Sequence, residues 1–367
     1  MQEPPIEFQK NFFRPVCNED EIERIFNVKN AKDYLLKLRA ETIVDHMRLF
    51  RVYRNKALAN EKNWSLENSF ISYQYINFKN KLPDELRLKC NQITYGNIFS
   101  TEPNGQIFKT EYGIITTLCD SLRYFIEFMN LGLLDFKKEV PTKVQINAIR
   151  IALRVMLQTE SLDFLMDPRG IIPPKIQKKM YHTYPFQMQF IAGHEYAHFL
   201  LGHLDENKIT KQYLLKAIFK SQSDYKPLDV YNISQKNEFE ADIASINLPN
   251  YSLQEKMLVF EGALLWYAFL DLYEGVEHSI FPPIGYQSHP TARDRYFNLL
   301  SKVETYSVFD YKYWDKDLPN LITEYRKYFI DEVGFNIEFY EMYGSAYLDE
   351  PNTKWRGKEL IDRVDYY

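Results

Sequence analysis

His194-Glu195-Tyr196-Ala197-His198 sets two histidines four residues apart with a glutamate between them. On an α-helix that spacing puts both imidazoles on one face, one turn apart. Imidazoles so placed can hold a metal, with the glutamate beside the position of a metal-bound water. The stretch therefore predicts a helix running to about Leu204. Pro185 predicts its start, because proline is favoured in a helix's first turn. Downstream come Glu238, Asp242 and the pair His289-Pro290, in that order.

A catalytic zinc site takes three protein ligands and leaves one position open. His203 is a poor third ligand. Continued as helix, it would stand about 140° round the axis from His198, where a histidine at a helix end suits the negative end of the dipole. In Asn237-Glu238-Phe239-Glu240-Ala241-Asp242, Glu238 and Asp242 are four apart and share a helix face. Glu238 is the expected third ligand, and Asp242 is expected to accept a hydrogen bond from the far nitrogen of a liganding imidazole. Glu240 should point elsewhere, and small Ala241 should let the two helices approach closely. Glu195 is the expected general base. His289, Arg295 and any nearby tyrosine are candidates to stabilise a developing oxyanion. Ser288-His289-Pro290-Thr291 reads equally well as a helix start.

The rest of the sequence bounds the class. The chain has 367 residues, 45% of them hydrophobic, which suffices for a substantial core. A net charge of −5 and the lack of a long basic run argue against nucleic acid as a partner. The 28 tyrosines and 26 phenylalanines suit aromatic core layers. Cys17, Cys90 and Cys119 form no C-x-x-C pair, as expected in a reducing compartment. The first twenty residues lack a signal peptide's basic start and apolar stretch. Met257 to Leu270 is too short to span a bilayer and is interrupted by Glu261-Gly262. A soluble, cytoplasmic protein is the expectation.

Helical spacing runs through Glu19 to Leu58, as at Ile22, Ile25 and Phe26. Pro103-Asn104-Gly105 marks a turn before Gln106-Ile107-Phe108-Lys109-Thr110, which alternates like a strand. Helices are expected over Gly113 to Leu134, Val144 to Gln158 and Leu253 to Glu274, near Ser234, and from Pro290. Sheet is expected only near residues 93–111. Asp167-Pro168-Arg169-Gly170 through Pro173-Pro174 reads as a loop. The predicted class is mostly α with a small sheet (α+β). Its expected parts are an N-terminal helical extension (1–90), a core (91–300) and an aromatic-rich C-terminal helical extension (301–367).

Taken in order, His194 to His198, Glu238 to Asp242, and His289-Pro290 to Arg295 resemble the gluzincin metallopeptidases of the HtpX and CAAX prenyl endopeptidase family. That family shows H-E-x-x-H, E-x-x-x-D, then H-P with an arginine beyond it. Asn97-Ile98-Phe99, Gly105 to Phe108 and Gly113-Ile114-Ile115 follow the family's order upstream. The resemblance spans roughly residues 91 to 300. It implies a zincin-like fold, with the active-site helix beside a small sheet whose edge strand lines the cleft, and a zinc-dependent endopeptidase with one Zn2+ per chain. It further implies that Glu238 is the third ligand, that His289 and Arg295 help stabilise the transition state, and that Gln106 to Thr110 pair with an extended protein or peptide substrate. The His-Glu-Tyr-Ala-His and Gly-His-Leu run is also similar to phage-exclusion proteases of the Lit type, soluble bacterial enzymes. The charged helical region of residues 1–90 also fits a regulated protease held idle by its own N-terminal region until an activating protein partner binds. The alternative from another class is a catalytically silent, zinc-stabilised binding module. The retained Glu195 speaks against it, because a structural zinc needs no base.

Overall fold

A computed structural model describes residues 5–100, 104–204, 209–212, 228–231, 234–283, 290–302 and 309–348. It is mostly helical with a small sheet, as the periodicity predicts. Helices α1 (Ile6–Phe13), α2 (Glu19–Phe26), α3 (Ala31–Val44) and α4 (Met47–Ala59) open the chain. Local chemistry starts them. Asn18 and Glu21 form a reciprocal capping box on α2, and Asn30 accepts from two amides of α3. Their apolar faces build a separate cluster around Leu36, Ile43, Val52 and Tyr53. Then come α5 (Tyr73–Lys81), α6 (Asp84–Lys89), β1 (Ile93–Ile98), β2 (Gly105–Thr110) and β3 (Gly113–Cys119).

The segment after Gly113 corrects an expectation: it forms a strand before it forms a helix. Ile114 to Leu118 is rich in β-branched residues, and β3 is buried from Ile115 to Cys119. A strand covered on both faces shows no alternation, so a short apolar run of this kind is easily taken for helix. The helix α7 (Ser121–Leu133) follows directly, and α8 (Thr142–Met156) packs on it.

Next is α9 (Pro174–Leu200), with Pro185 inside it rather than at its start. An internal proline costs about 3 kcal/mol. Each apolar side chain that α9 buries, among them Met188, Phe190 and Ile191, returns roughly 1.5–3 kcal/mol. Burial against α5, α7 and the helices below therefore holds the helix through the proline.

Two short strands, β4 (Ile209–Gln212) and β5 (Leu228–Tyr231), lie between α9 and α10 (Gln235–Asn247). The chain continues through α11 (Leu253–Ile280), α12 (Ala292–Lys302) and α13 (Leu318–Glu341). Gly262 of α11 sits where a Cβ would stand 2.9 Å from the Gln187 amide nitrogen, which lets α11 close on α9. The main core lies among α5, α7 to α9 and α11 to α13, and its largest fully buried side chains are mostly tyrosine and phenylalanine.

The sheet order is β1-β3-β2-β5-β4, with β1 parallel to β3 and the other pairs antiparallel. The sheet thus extends beyond residues 93–111. β2 is not a simple edge strand, because β5 pairs with it at Phe108 and Lys109. No helix among the described residues is long and apolar enough to cross a membrane.

Candidate metal centre

Three elements converge on one point. α9 carries His194, Glu195 and His198, α10 carries Glu238 and Asp242, and α12 carries Arg295. Ser234, as expected, starts α10 by accepting from the Asn237 amide. Ala241 is fully buried and packs with Ala197, so the two helices meet through small side chains.

The Nε2 atoms of His194 and His198 lie 2.9 Å apart. The Glu238 carboxylate stands 3.3 Å from the first and 3.6 Å from the second. Ligand atoms about 2.0–2.1 Å from a tetrahedral ion lie roughly 3.3 Å apart, so these spacings suit a shared metal. His194, His198 and Glu238 form a buried group that could hold a metal ion.

The far nitrogen of His194 behaves as the pattern predicts. Its Nδ1 meets Asp242 Oδ1 at 2.8 Å. The same oxygen accepts from the Tyr267 hydroxyl at 2.5 Å and from an Arg295 terminal nitrogen at 2.6 Å. Arg295 Nε donates to the other Asp242 oxygen at 2.9 Å, giving a two-pronged grip. Its remaining terminal nitrogen lies 3.0 Å from Glu238, and the guanidinium rests over the Tyr267 ring. Arg295 thus meets two carboxylates of α10, Glu238 and Asp242. It was expected to help stabilise a developing oxyanion; the contacts it makes are to these carboxylates and, at 3.3 and 3.4 Å, to the ring nitrogens of His194. α12 in turn is fixed by Glu274, whose two oxygens accept from the Ala292 amide. His289, the other oxyanion candidate, lies outside the described residues.

The far side of His198 follows no expectation. α9 ends in a Schellman turn. Gly202 takes φ +73°, its amide bonds to the Phe199 carbonyl, and the His203 amide bonds to the His198 carbonyl. The helix does not continue to Leu204, so the 140° offset never applies. The fold-back sets His203 Nδ1 3.1 Å from His198 Nδ1, and His203 Nε2 3.3 Å from Glu240. His203 is no ligand to the shared point, because it touches the opposite edge of the His198 ring. Glu240 keeps clear of the three ligand atoms, as predicted. Gly202 as a helix-ending glycine was the available signal for this turn; nothing local in the sequence marked Tyr267.

Glu195 is 7% exposed, and its carboxylate lies against Gly105 at the start of β2. A Cβ on Gly105 would stand 2.4 Å from Glu195 Oε1. The predicted strand Gln106, Ile107, Phe108, Lys109 and Thr110 therefore begins beside the predicted base. Phe108 and Lys109 already have β5 alongside, so an added peptide strand does not have that edge to itself, contrary to expectation.

Charge explains the strength of these contacts. Burial and Arg295 both oppose a charged His194, yet its hydrogen bonds to Asp242 and Glu238 prevail and push it up to about 9. Burial, aided by His194, drives His198 well below the usual histidine range. Burial also works against an ionised Asp242, but Arg295 and His194 hold it down to about 2. No known protein family, curated protein or solved structure matches the chain.

Proposed function

We propose that the protein is a zinc-dependent endopeptidase with a zincin-like core, in which Glu195 moves the proton that peptide hydrolysis requires. The observation that carries this reading is the burial of the cluster: His194, Glu195, His198, Glu238 and Asp242 are all under 9% exposed. Three carboxylates against the Arg295 guanidinium and a protonated His194 leave one negative charge in a dry site, and two once His194 gives up its proton to act as a ligand. Unpaired charge is costly there, and a divalent cation compensates it. Two imidazoles and one carboxylate suit zinc. Bound there, zinc would lower the pKa of a water to about 7 and polarise a carbonyl.

The chain's own residues divide the remaining tasks. His194, His198 and Glu238 hold the ion. Asp242, held by Tyr267 and Arg295, fixes the tautomer of His194, so that Nε2 faces the metal and Nδ1 donates. Glu195 accepts a proton from the attacking water and delivers it to the leaving amine. Glu195 acts as a base in this scheme, which separates it from the silent zinc-stabilised module. β2, beginning over Glu195, is the strand beside which a protein or peptide substrate would lie.

The test compares new protein N-termini in cells expressing wild type and Glu195→Gln, with zinc content measured on both purified proteins. Cleavage products specific to the wild type, with equal zinc, are expected. If zinc-loaded wild type and variant give identical N-termini, two readings are left: the silent module, or a peptidase that awaits its activating partner.

A further inference from the structure

The two imidazoles of the centre are held from behind in different ways. Behind His194 stands a carboxylate, Asp242, with its own arginine and tyrosine. Behind His198 stands another histidine. His203 Nδ1 lies 3.1 Å from His198 Nδ1, and His203 Nε2 lies 3.3 Å from Glu240 Oε2. The His203 side chain is 7% exposed, whereas Glu240 is about half exposed and reaches Lys236 on its outer side. The Schellman turn at Gly202 locks the arrangement through the His203 amide on the His198 carbonyl. Backbone and side chain of one residue thus both return to the same ligand.

From this geometry we infer that His203, backed by Glu240, is the positioning residue that orients His198 for the metal. The inference rests on the zinc reading above. Donor and acceptor roles follow one from the next. With Nε2 of His198 given to the metal, its Nδ1 must carry the hydrogen and donate. His203 Nδ1 then accepts, which places the His203 hydrogen on Nε2, where Glu240 accepts it. The chain His198, His203, Glu240 therefore has one consistent set of tautomers, and it ends on a solvent-reaching carboxylate. A direct carboxylate behind His198 would add further negative charge to an already anionic pocket. A neutral histidine keeps the geometry and moves that charge outward. Residues in this role typically change metal affinity 10- to 100-fold when removed.

The experiment measures zinc dissociation constants by chelator competition on the full-length wild type, His203→Ala and Glu240→Ala. Melting temperatures of the three metal-free proteins are measured alongside. His203→Ala is expected to weaken zinc binding on the order of 10- to 100-fold. Its metal-free melting temperature should stay near that of the wild type, and millimolar imidazole should restore part of the affinity by refilling the vacated space. Glu240→Ala should weaken binding less. Wild-type affinity in His203→Ala would overturn this inference alone. So would weaker binding matched by a lower metal-free melting temperature and no imidazole rescue, because that pattern belongs to a merely structural residue. A wild type that takes up no zinc would overturn the zinc reading, and this inference with it.

Discussion

At the scale of single residues the centre depends on one absent side chain. Gly105 opens β2 directly over Glu195, and a methyl group there would come within 2.4 Å of the carboxylate. No real Cβ contact is that short, so either the strand lifts or the glutamate turns away. On the proposed peptidase reading, Gly105→Ala is therefore expected to lower peptide hydrolysis by on the order of 100-fold, the usual consequence of about 1 Å of misplacement at a reacting group. Zinc content should not change, because His194, His198 and Glu238 lie on other elements. Rate and metal stoichiometry measured on the same preparation check this. Wild-type turnover in the variant would mean that Glu195 is not held where it must act. His203 carries the same lesson, since a residue outside the helix can govern one inside it.

At the scale of elements, α12 matters because it delivers Arg295 to Asp242 and Glu238. Thr291 Oγ1 accepts from the Asp294 amide at its start, and Glu274 of α11 accepts from Ala292. Burial pushes Glu274 up to about 7; the Ala292 amide and Arg295 on α12 favour its charged form, while Asp271 and Glu277 on its own helix oppose it. A carboxyl whose folded pKa is raised supports folding fully below its ordinary value of 4.5, and that support is lost as pH rises through about 7. Glu274→Gln stays neutral and keeps an oxygen to accept from Ala292. Its melting temperature should therefore fall less than that of the wild type between pH 5 and pH 8. Parallel melting curves for the two proteins across that range would refute the assignment.

The strands teach a related point. The strand Gln106 to Thr110 was readable, because its polar residues Gln106, Lys109 and Thr110 stay partly exposed while Ile107 and Phe108 are buried. β3 was not readable as a strand, because both of its faces are covered. Pro185 likewise looked like a boundary, since nothing nearby in sequence announces the helices that pack around α9.

At the scale of the whole molecule, Arg169 ties distant parts of the chain together. It is fully buried and pairs with Glu160 at 2.7 Å, Asp163 at 2.7 Å and Asp167 at 2.9 Å. Asp163 also binds Arg48 of α4, and Glu160 binds Arg154 of α8. The segment after α13 joins through the Ala346 amide on Glu160 and the Leu348 amide on the Arg169 carbonyl. Opening helices, central helices and C-terminal segment thus share one charge network. Removing one partner of a buried ion network costs about 3–5 kcal/mol, because the charges left behind remain out of water. Arg169→Ala should lower unfolding free energy by about that amount in denaturant titrations, while a surface control such as Lys175→Ala shifts the midpoint little. A loss in Arg169→Ala no larger than that of the control would show that the network holds nothing together.

The sequence by itself determined what depends on neighbours along one chain. The spacing of His194 and His198 fixed a shared helix face, and that of Glu238 and Asp242 fixed another. Ser234 marked the start of α10, and composition set a mostly helical class with an aromatic core. These follow from the 3.6-residue period and from local capping, which a single segment contains in full. Only the tertiary structure decided the rest. It brought α10 against α9, aimed Arg295 behind the carboxylates, set Gly105 over Glu195, placed Tyr267 beneath Asp242 and folded His203 back onto His198. Each of these joins groups whose meeting is paid for by burial of surface elsewhere in the molecule, so no local pattern had to record it.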